Sequence, residues 1–203
     1  STQTPLIAEE LRRQGREVRI VSFPVYESDS SALVRMYLHT GKQKYLDMAK
    51  HFIDTRGSSE TSEPNVSYNQ SHLPVREQTE AVGHSVRAMY LYTGMALLAA
   101  QTGDESLLKA CKKLWDDVTL KKMYVTGGIG STYVGEAFTN PYDLPNEGAY
   151  TETCAGIGLV FFANAMLALL TNKDSGITKA EEINTAGKVI AVSTYAGRTV
   201  RGV

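Results

Sequence analysis

Leu97-Leu98-Ala99-Ala100-Gln101-Thr102-Gly103, continued after Asp104-Glu105-Ser106 by Leu107-Leu108-Lys109-Ala110-Cys111-Lys112, is the stretch on which the fold turns. An apolar run stops at a glycine, and a second run opens behind Asp104, whose carboxylate suits the free amides at the start of a new helix. The same device stands earlier, where Met36-Tyr37-Leu38-His39-Thr40-Gly41 precedes Tyr45-Leu46-Asp47-Met48-Ala49-Lys50. A weaker third copy begins at Leu169-Leu170-Thr171-Asn172. Each unit predicts an antiparallel helical hairpin, and a recurring hairpin predicts helical pairs arrayed around a toroid, with a simple bundle as the alternative.

The helices within a pair differ in character. Tyr45, Leu46, Ala49, Phe52 and Ile53 make one apolar stripe opposite Lys44, Asp47, Lys50 and Asp54. Leu107, Leu108, Cys111, Leu114, Trp115 and Val118 make another, as expected of outer-layer helices. Residues Thr79–Ala100 and Glu152–Leu170 are apolar on nearly all sides, which predicts helices buried between layers. The expected class is all-α. Both ends differ in texture: a short helix is expected over Leu6–Arg16, a strand over Val18–Pro24, and a second strand over Lys188–Tyr195. The chain therefore divides into a helical domain, 30–170, and two tails expected to be extraneous to it, an N-terminal segment, 1–29, and a C-terminal segment, 171–203.

With 21 basic against 22 acidic residues among 203, the chain has no clustered positive charge for nucleic acid or an anionic membrane, and neither partner is expected. The apolar run Ala155–Leu170 is short and glycine-containing for a membrane span. Ser1–Arg19 lacks the order of a secretion signal, and two cysteines make no disulfide scaffold, so the expected compartment is the cytoplasm.

Two long stretches interrupt the helices. Gly57–Pro74 is rich in Ser, Glu and Asn; Met123–Tyr150, with its glycines and tyrosines, has the content of an ordered binding loop. Gly127-Gly128-Ile129-Gly130 invites a phosphate-loop reading, but Tyr133 stands where the last glycine belongs and no Lys-Ser/Thr follows. A tight turn is the better expectation.

Glu136, within Tyr133-Val134-Gly135-Glu136-Ala137-Phe138, is an acid among apolar neighbours. Most acids are simply solvated, but desolvation here would raise the carboxyl pKa, as a general acid requires. Asp143 and Glu147 are candidates for a second carboxylate of glycoside hydrolysis. In Thr151-Glu152-Thr153-Cys154, Thr151 is the expected N-cap, with Glu152 and Cys154 in the first turn. There the helix dipole would favour a thiolate, and the pair would supply two ligands to zinc. A capping Glu and a small buried Cys is the plainer alternative. Cys111 sits on an apolar stripe and reads as core. His84 is expected to share a helix side with Ala88, Leu91 and Met95, with Glu80 and Arg87 completing a costly polar cluster; His72 stands at a loop edge.

The run from His72 to Tyr92 resembles the β-L-arabinofuranosidase family of glycoside hydrolases. So do Val125-Thr126-Gly127-Gly128-Ile129-Gly130-Ser131, Gly135-Glu136-Ala137-Phe138, Tyr142-Asp143-Leu144-Pro145-Asn146 and Tyr150-Thr151-Glu152-Thr153-Cys154-Ala155, in the family's order. The resemblance covers about residues 30–170. It implies a partial (α/α)6 toroid and a retaining exo-enzyme acting on β-L-arabinofuranose in plant-type glycans. It also implies Glu136 as general acid/base, His84 as a sugar contact, and Glu152 and Cys154 as zinc ligands. The implied nucleophile is a zinc-bound cysteine of a downstream Cys-Cys pair, and these 203 residues contain no such pair. The expected function is therefore a glycoside hydrolase fragment, inactive alone. The alternative is a non-catalytic carbohydrate-binding or assembly module, in which an oligomer or partner covers the open toroid.

Overall fold

The computed structural model describes residue 13, residues 28–58 and 66–171, and two strands at 179–183 and 189–194. Among the described residues there are five α-helices: α1 (Ser28–Thr40), α2 (Gln43–Thr55), α3 (Ser85–Thr102), α4 (Glu105–Lys121) and α5 (Thr153–Thr171). The strands β1 (Lys179–Ile183) and β2 (Val189–Thr194) pair antiparallel. The strand expected near the C-terminus is thus β2. The helix and strand expected over residues 6–24 lie outside the described residues except at Arg13, as does Asn172 at the end of the third repeat.

Both hairpins form where the glycines stop the chain. Gly41 has φ +66° and donates its N–H to Tyr37 O; Gly103 has φ +68° and donates to Ala99 O. α2 buries Leu46, Ala49, Phe52 and Ile53, and α4 buries Leu107, Ala110, Cys111, Leu114 and Val118, so each turns one stripe inward. α3 is the central helix: Leu91, Tyr92, Met95 and Leu98 are fully buried, and it packs on α1, α2, α4 and, most extensively, α5. Outer amphipathic helices around an apolar inner one are the two-layer arrangement of a partial (α/α)6 toroid.

The inner helices depart from expectation in two ways. α3 begins at Ser85, not Thr79, because Gly83 adopts φ +72° and the chain before it runs irregularly. α5 is not buried all round. Ala155, Leu159, Phe162, Ala165, Met166 and Leu169 face the core, while Ile157, Val160, Phe161 and Leu167 are exposed on the opposite face. Its Thr153–Leu170 portion is long and apolar enough to cross a membrane by length and composition, so the shorter run read from sequence underestimated it. Apolarity on all sides does not tell which face of the helix packs, and the structure puts the Phe162 face against the core.

Asp104 fastens the start of α4. Its Oδ1 accepts the amides of Ser106 at 3.0 Å and Leu107 at 3.1 Å, while Oδ2 accepts from Arg76 at 2.8 Å. Arg76 also binds Asp54 near the end of α2. Burial alone would push the Asp104 carboxyl up, but hydrogen bonds from Ser106, Arg76 and the Leu107 amide hold it well below the usual carboxylate range. Asp104→Ala is expected to cost about 1–2 kcal/mol in urea unfolding at neutral pH. A lowered folded pKa gives stability that is complete above the unfolded value, near pH ~4, and lost as pH falls through the folded one. The difference between Asp104→Ala and the parent chain should accordingly shrink in acid.

Candidate active site

Three segments distant in sequence meet through their main chains. The first is the approach to α3, where His84 donates its N–H to Tyr68 O at 3.0 Å and Gly83 O accepts from Phe138 N–H at 2.9 Å. The second is a narrow loop in which Thr132 and Ala137 exchange main-chain hydrogen bonds and Ala137 also bridges His84. The third is the lead into α5, where the amides of Tyr150 and Thr151 donate to Ser131 O and Gly130 O. Gln70, fully buried, donates through Nε2 to the carbonyls of Tyr68, Val82 and His84. The Gly127 region forms a turn, with Gly127 at φ +83° and its N–H on Tyr124 O, as expected in place of a phosphate loop.

At this junction Glu136 Oε2 lies 2.8 Å from His84 Nε2, and Glu136 Oε1 accepts from the Tyr150 hydroxyl at 2.8 Å. His84 is the N-cap of α3, and its Nδ1 accepts the Arg87 amide at 3.4 Å. An accepting Nδ1 leaves the ring proton of the neutral tautomer on Nε2, aimed at Glu136. Tyr68 meets the His84 ring edge-on at 5.5 Å and lies beneath the Arg87 guanidinium. Glu136 itself has φ +51°, a backbone conformation costly for a side chain larger than glycine, of the kind that gathers at functional sites.

The electrostatics reverse two expectations. The Glu136 side chain is 41% exposed, and the Tyr150 hydroxyl, then His84, stabilise its charged form. Its pKa is lowered, not raised, because these donors outweigh the modest desolvation. Tyr150 responds in kind, its phenol pushed up to about 12 by its hydrogen bond to Glu136. In Glu136→Gln the carboxylate charge is gone, so Tyr150 should titrate closer to the ordinary tyrosine value of about 10, as followed by its ring carbon resonances.

α5 begins at Thr153, so Glu152, not Thr151, stands before the first turn and its carbonyl accepts the amides of Ala155 and Gly156. Cys154 is exposed in that turn and donates through Sγ to Glu152 Oε1 at 3.1 Å. Its thiol is raised, not lowered: the hydrogen bond it donates to Glu152 holds the proton, and desolvation and the Glu152 charge add to this, outweighing the main-chain amides at the helix start. Glu152 Oε2 is buried without a hydrogen-bond partner among the described residues. An unsatisfied carboxylate oxygen beside a thiol fits a zinc ion, which would satisfy the oxygen and displace the thiol proton.

Ligand atoms of His84, Glu136 and Glu152 lie within 4.8 Å of one another, and Cys154 adjoins Glu152. The four residues singled out from sequence therefore share one place. Asp143 and Glu147 are exposed and outside that group. Glu80 and Arg87 do not form a cluster on a buried helix: Glu80 precedes α3 and pairs with Lys122 at 2.8 Å. Cys111 is fully buried, with its thiol pushed up to about 12 by burial. Burial lowers the His72 imidazole. Sequence reasoning missed Tyr68, Gln70 and Tyr150 as parts of the site; Tyr150, next to Thr151-Glu152-Thr153-Cys154, was the accessible signal.

A family model described as the β-L-arabinofuranosidase GH127 catalytic domain matches residues 7–183. A non-reducing end β-L-arabinofuranosidase of Bifidobacterium longum subsp. longum is 40% identical over 156 residues, 68% of this chain and 24% of that protein. Among solved structures, a GH127 β-L-arabinofuranosidase from Geobacillus stearothermophilus T6 is 49% identical with a TM-score of 0.66, covering 69% of this chain and 25% of that one. A second GH127 β-arabinofuranosidase is 41% identical with a TM-score of 0.67, over 86% and 31%. These likenesses put the chain in the glycoside hydrolase class. It belongs to the GH127 β-L-arabinofuranosidase family, matched to its catalytic domain, and spans 24% to 31% of the length of these relatives.

Proposed function

We propose that this chain carries the proton-transfer and metal-ligand half of a retaining, exo-acting β-L-arabinofuranosidase site. The observation that carries the reading is the His84–Glu136–Tyr150 hydrogen-bonded array set against Glu152 and Cys154. Glu136 is the general acid/base. With two donors on its carboxylate it rests in the charged form, suited to take a proton from water in the second half of a double displacement. For the first half it must hold a proton. A sugar hydroxyl that claims the His84 Nε2–H would remove one of the two donors and raise the proton affinity of Glu136. His84 is thus both sugar contact and regulator of the acid. Glu152 and Cys154 would hold zinc, which supplies a thiol kept deprotonated near neutrality.

The 203 residues contain only Cys111 and Cys154, and no Cys-Cys pair. By themselves they lack the nucleophile that the family resemblance implies, so binding without turnover is expected. Isothermal titration with methyl β-L-arabinofuranoside should give weak uptake that His84→Ala abolishes, while an aryl β-L-arabinofuranoside with added zinc should not be hydrolysed. Zinc-dependent turnover lost in Glu136→Gln would show these residues to be sufficient; a folded chain with no uptake would remove the sugar-site reading.

The outward face of α5 favours a second reading, an assembly module. Val160, 64% exposed, lies with Ile157, Phe161 and Leu167 on a contiguous apolar strip of the kind that marks contact surfaces. Sedimentation velocity showing a dispersed monomer at high concentration would count against it.

A further inference from the structure

We infer that the buried Asp117–Lys122 ion pair is a positioning device that keeps the His84 and Glu136 arms of the site in register. The inference takes Glu136 as the proton-transfer group of the preceding section. Asp117 and Lys122 are 2% and 3% exposed, and Lys122 Nζ lies 3.4 Å from Asp117 Oδ2. Asp117 Oδ2 accepts the Ala81 amide at 2.8 Å, while Lys122 Nζ donates to Ala81 O at 2.7 Å and to Glu80 Oε1 at 2.8 Å. Both main-chain polar groups of Ala81 are therefore held by the pair, just ahead of His84. On its other side Lys122 Nζ lies 6.0 Å from the centre of the Phe138 ring, just beyond Glu136. Phe138 in turn donates its N–H to Gly83 O. One cation thus bonds the main chain of the His84 arm and faces, at cation–π range, the Phe138 ring of the other.

The pair rests on a firm base. Asp117 lies in the last turns of α4, and Lys122 caps that helix by donating its N–H to Val118 O at 3.1 Å. Stability alone does not call for such a pair, since the desolvation of two buried charges offsets most of their attraction and an apolar pair of similar volume serves as well. An apolar pair would, however, leave the Ala81 N–H and C=O without partners. Those are the contacts that set how far the His84 arm slides along α4, and through Phe138 where Glu136 stands.

The test is amide hydrogen exchange by NMR on the full chain, comparing Lys122→Met, the double variant Asp117→Asn/Lys122→Met, and Leu114→Ala as a destabilised control on the same helix. The Ala81 amide donates to Asp117 directly and is left out of the comparison. If the pair positions the site, the amides of His84 and Phe138 should exchange about tenfold faster, relative to core amides of α3, than in the control at matched global stability. The His84 ring resonances, set partly by the Tyr68 ring, should shift in the pair variants and not in Leu114→Ala. Exchange and shifts that merely follow global stability would overturn the inference. Should both pair variants fail to fold, native-state exchange of the parent chain in urea decides. The amides of Ala81, His84 and Phe138 should share one opening free energy, and independent opening would overturn the inference. Neither readout depends on sugar binding or turnover, so a failed activity assay and a failed positioning role remain distinguishable.

Discussion

Gly83→Ala is expected to destabilise the chain by roughly 2–5 kcal/mol, the sum of a left-handed backbone penalty and an overpacking term. Gly83 has φ +72°, and a Cβ there would lie 2.7 Å from Tyr68 Cα and closer still to the Ser67 carbonyl. Both obstacles are main chain, which cannot rotate aside as a side chain can. Gly103 provides the control, because it has φ +68° with open space around the added Cβ. Gly103→Ala should cost only about 1–2 kcal/mol, the backbone penalty alone. Urea unfolding of the two variants separates the terms, and equal losses would mean that segment 67–68 yields freely. The consequence for the site is direct. Tyr68 O holds the His84 amide and Gly83 O holds the Phe138 amide, so displacing this segment parts His84 from Glu136.

Phe162→Ala is expected to cost about 3–5 kcal/mol, the range for a fully buried aromatic truncated in a core that relaxes only partly. Phe162 is fully buried on α5, with its ring 5.7 Å from Tyr92 on α3 and 5.5 Å from Trp115 on α4. It therefore joins three helices whose ends carry parts of the site: His84 before α3, Lys122 after α4, and Glu152 with Cys154 at the start of α5. Trp115 is the sole tryptophan, so the emission reports on the surroundings of this one indole, which include Phe162. A red shift together with a lowered melting temperature is the expected result. An unchanged emission would mean that neighbouring side chains fill the space.

The hairpins were legible in the sequence because their signals are local. A glycine stop, an aspartate cap and a stripe at helical spacing each act within a few residues, and Gly41, Gly103 and Asp104 do what their types predict. The start of α3 was not, because Gly83 interrupts an apolar stretch for a reason outside it, the approach of Ser67 and Tyr68. The proton affinity of Glu136 was misjudged in the same way, since sequence neighbours pointed to desolvation whereas it meets Tyr150 and His84. Cys154 was misjudged for a different reason: Glu152 stands two residues away in the sequence, but only the structure shows the thiol donating to its carboxylate.

Sequence alone determined that the chain is a set of helical hairpins, since a glycine stop and an apolar stripe act locally whatever surrounds them, and the family resemblance of its motifs singled out His84, Glu136, Glu152 and Cys154. Only tertiary structure decided that these four share one place, that Tyr150 and His84 hold Glu136 in its charged form, and that an ion pair buried behind them grips the main chain. Proton affinity and register depend on the groups within a few ångströms, and it is folding that brings His84 to Glu136 from a distant part of the chain and turns the Tyr150 hydroxyl onto the same carboxylate.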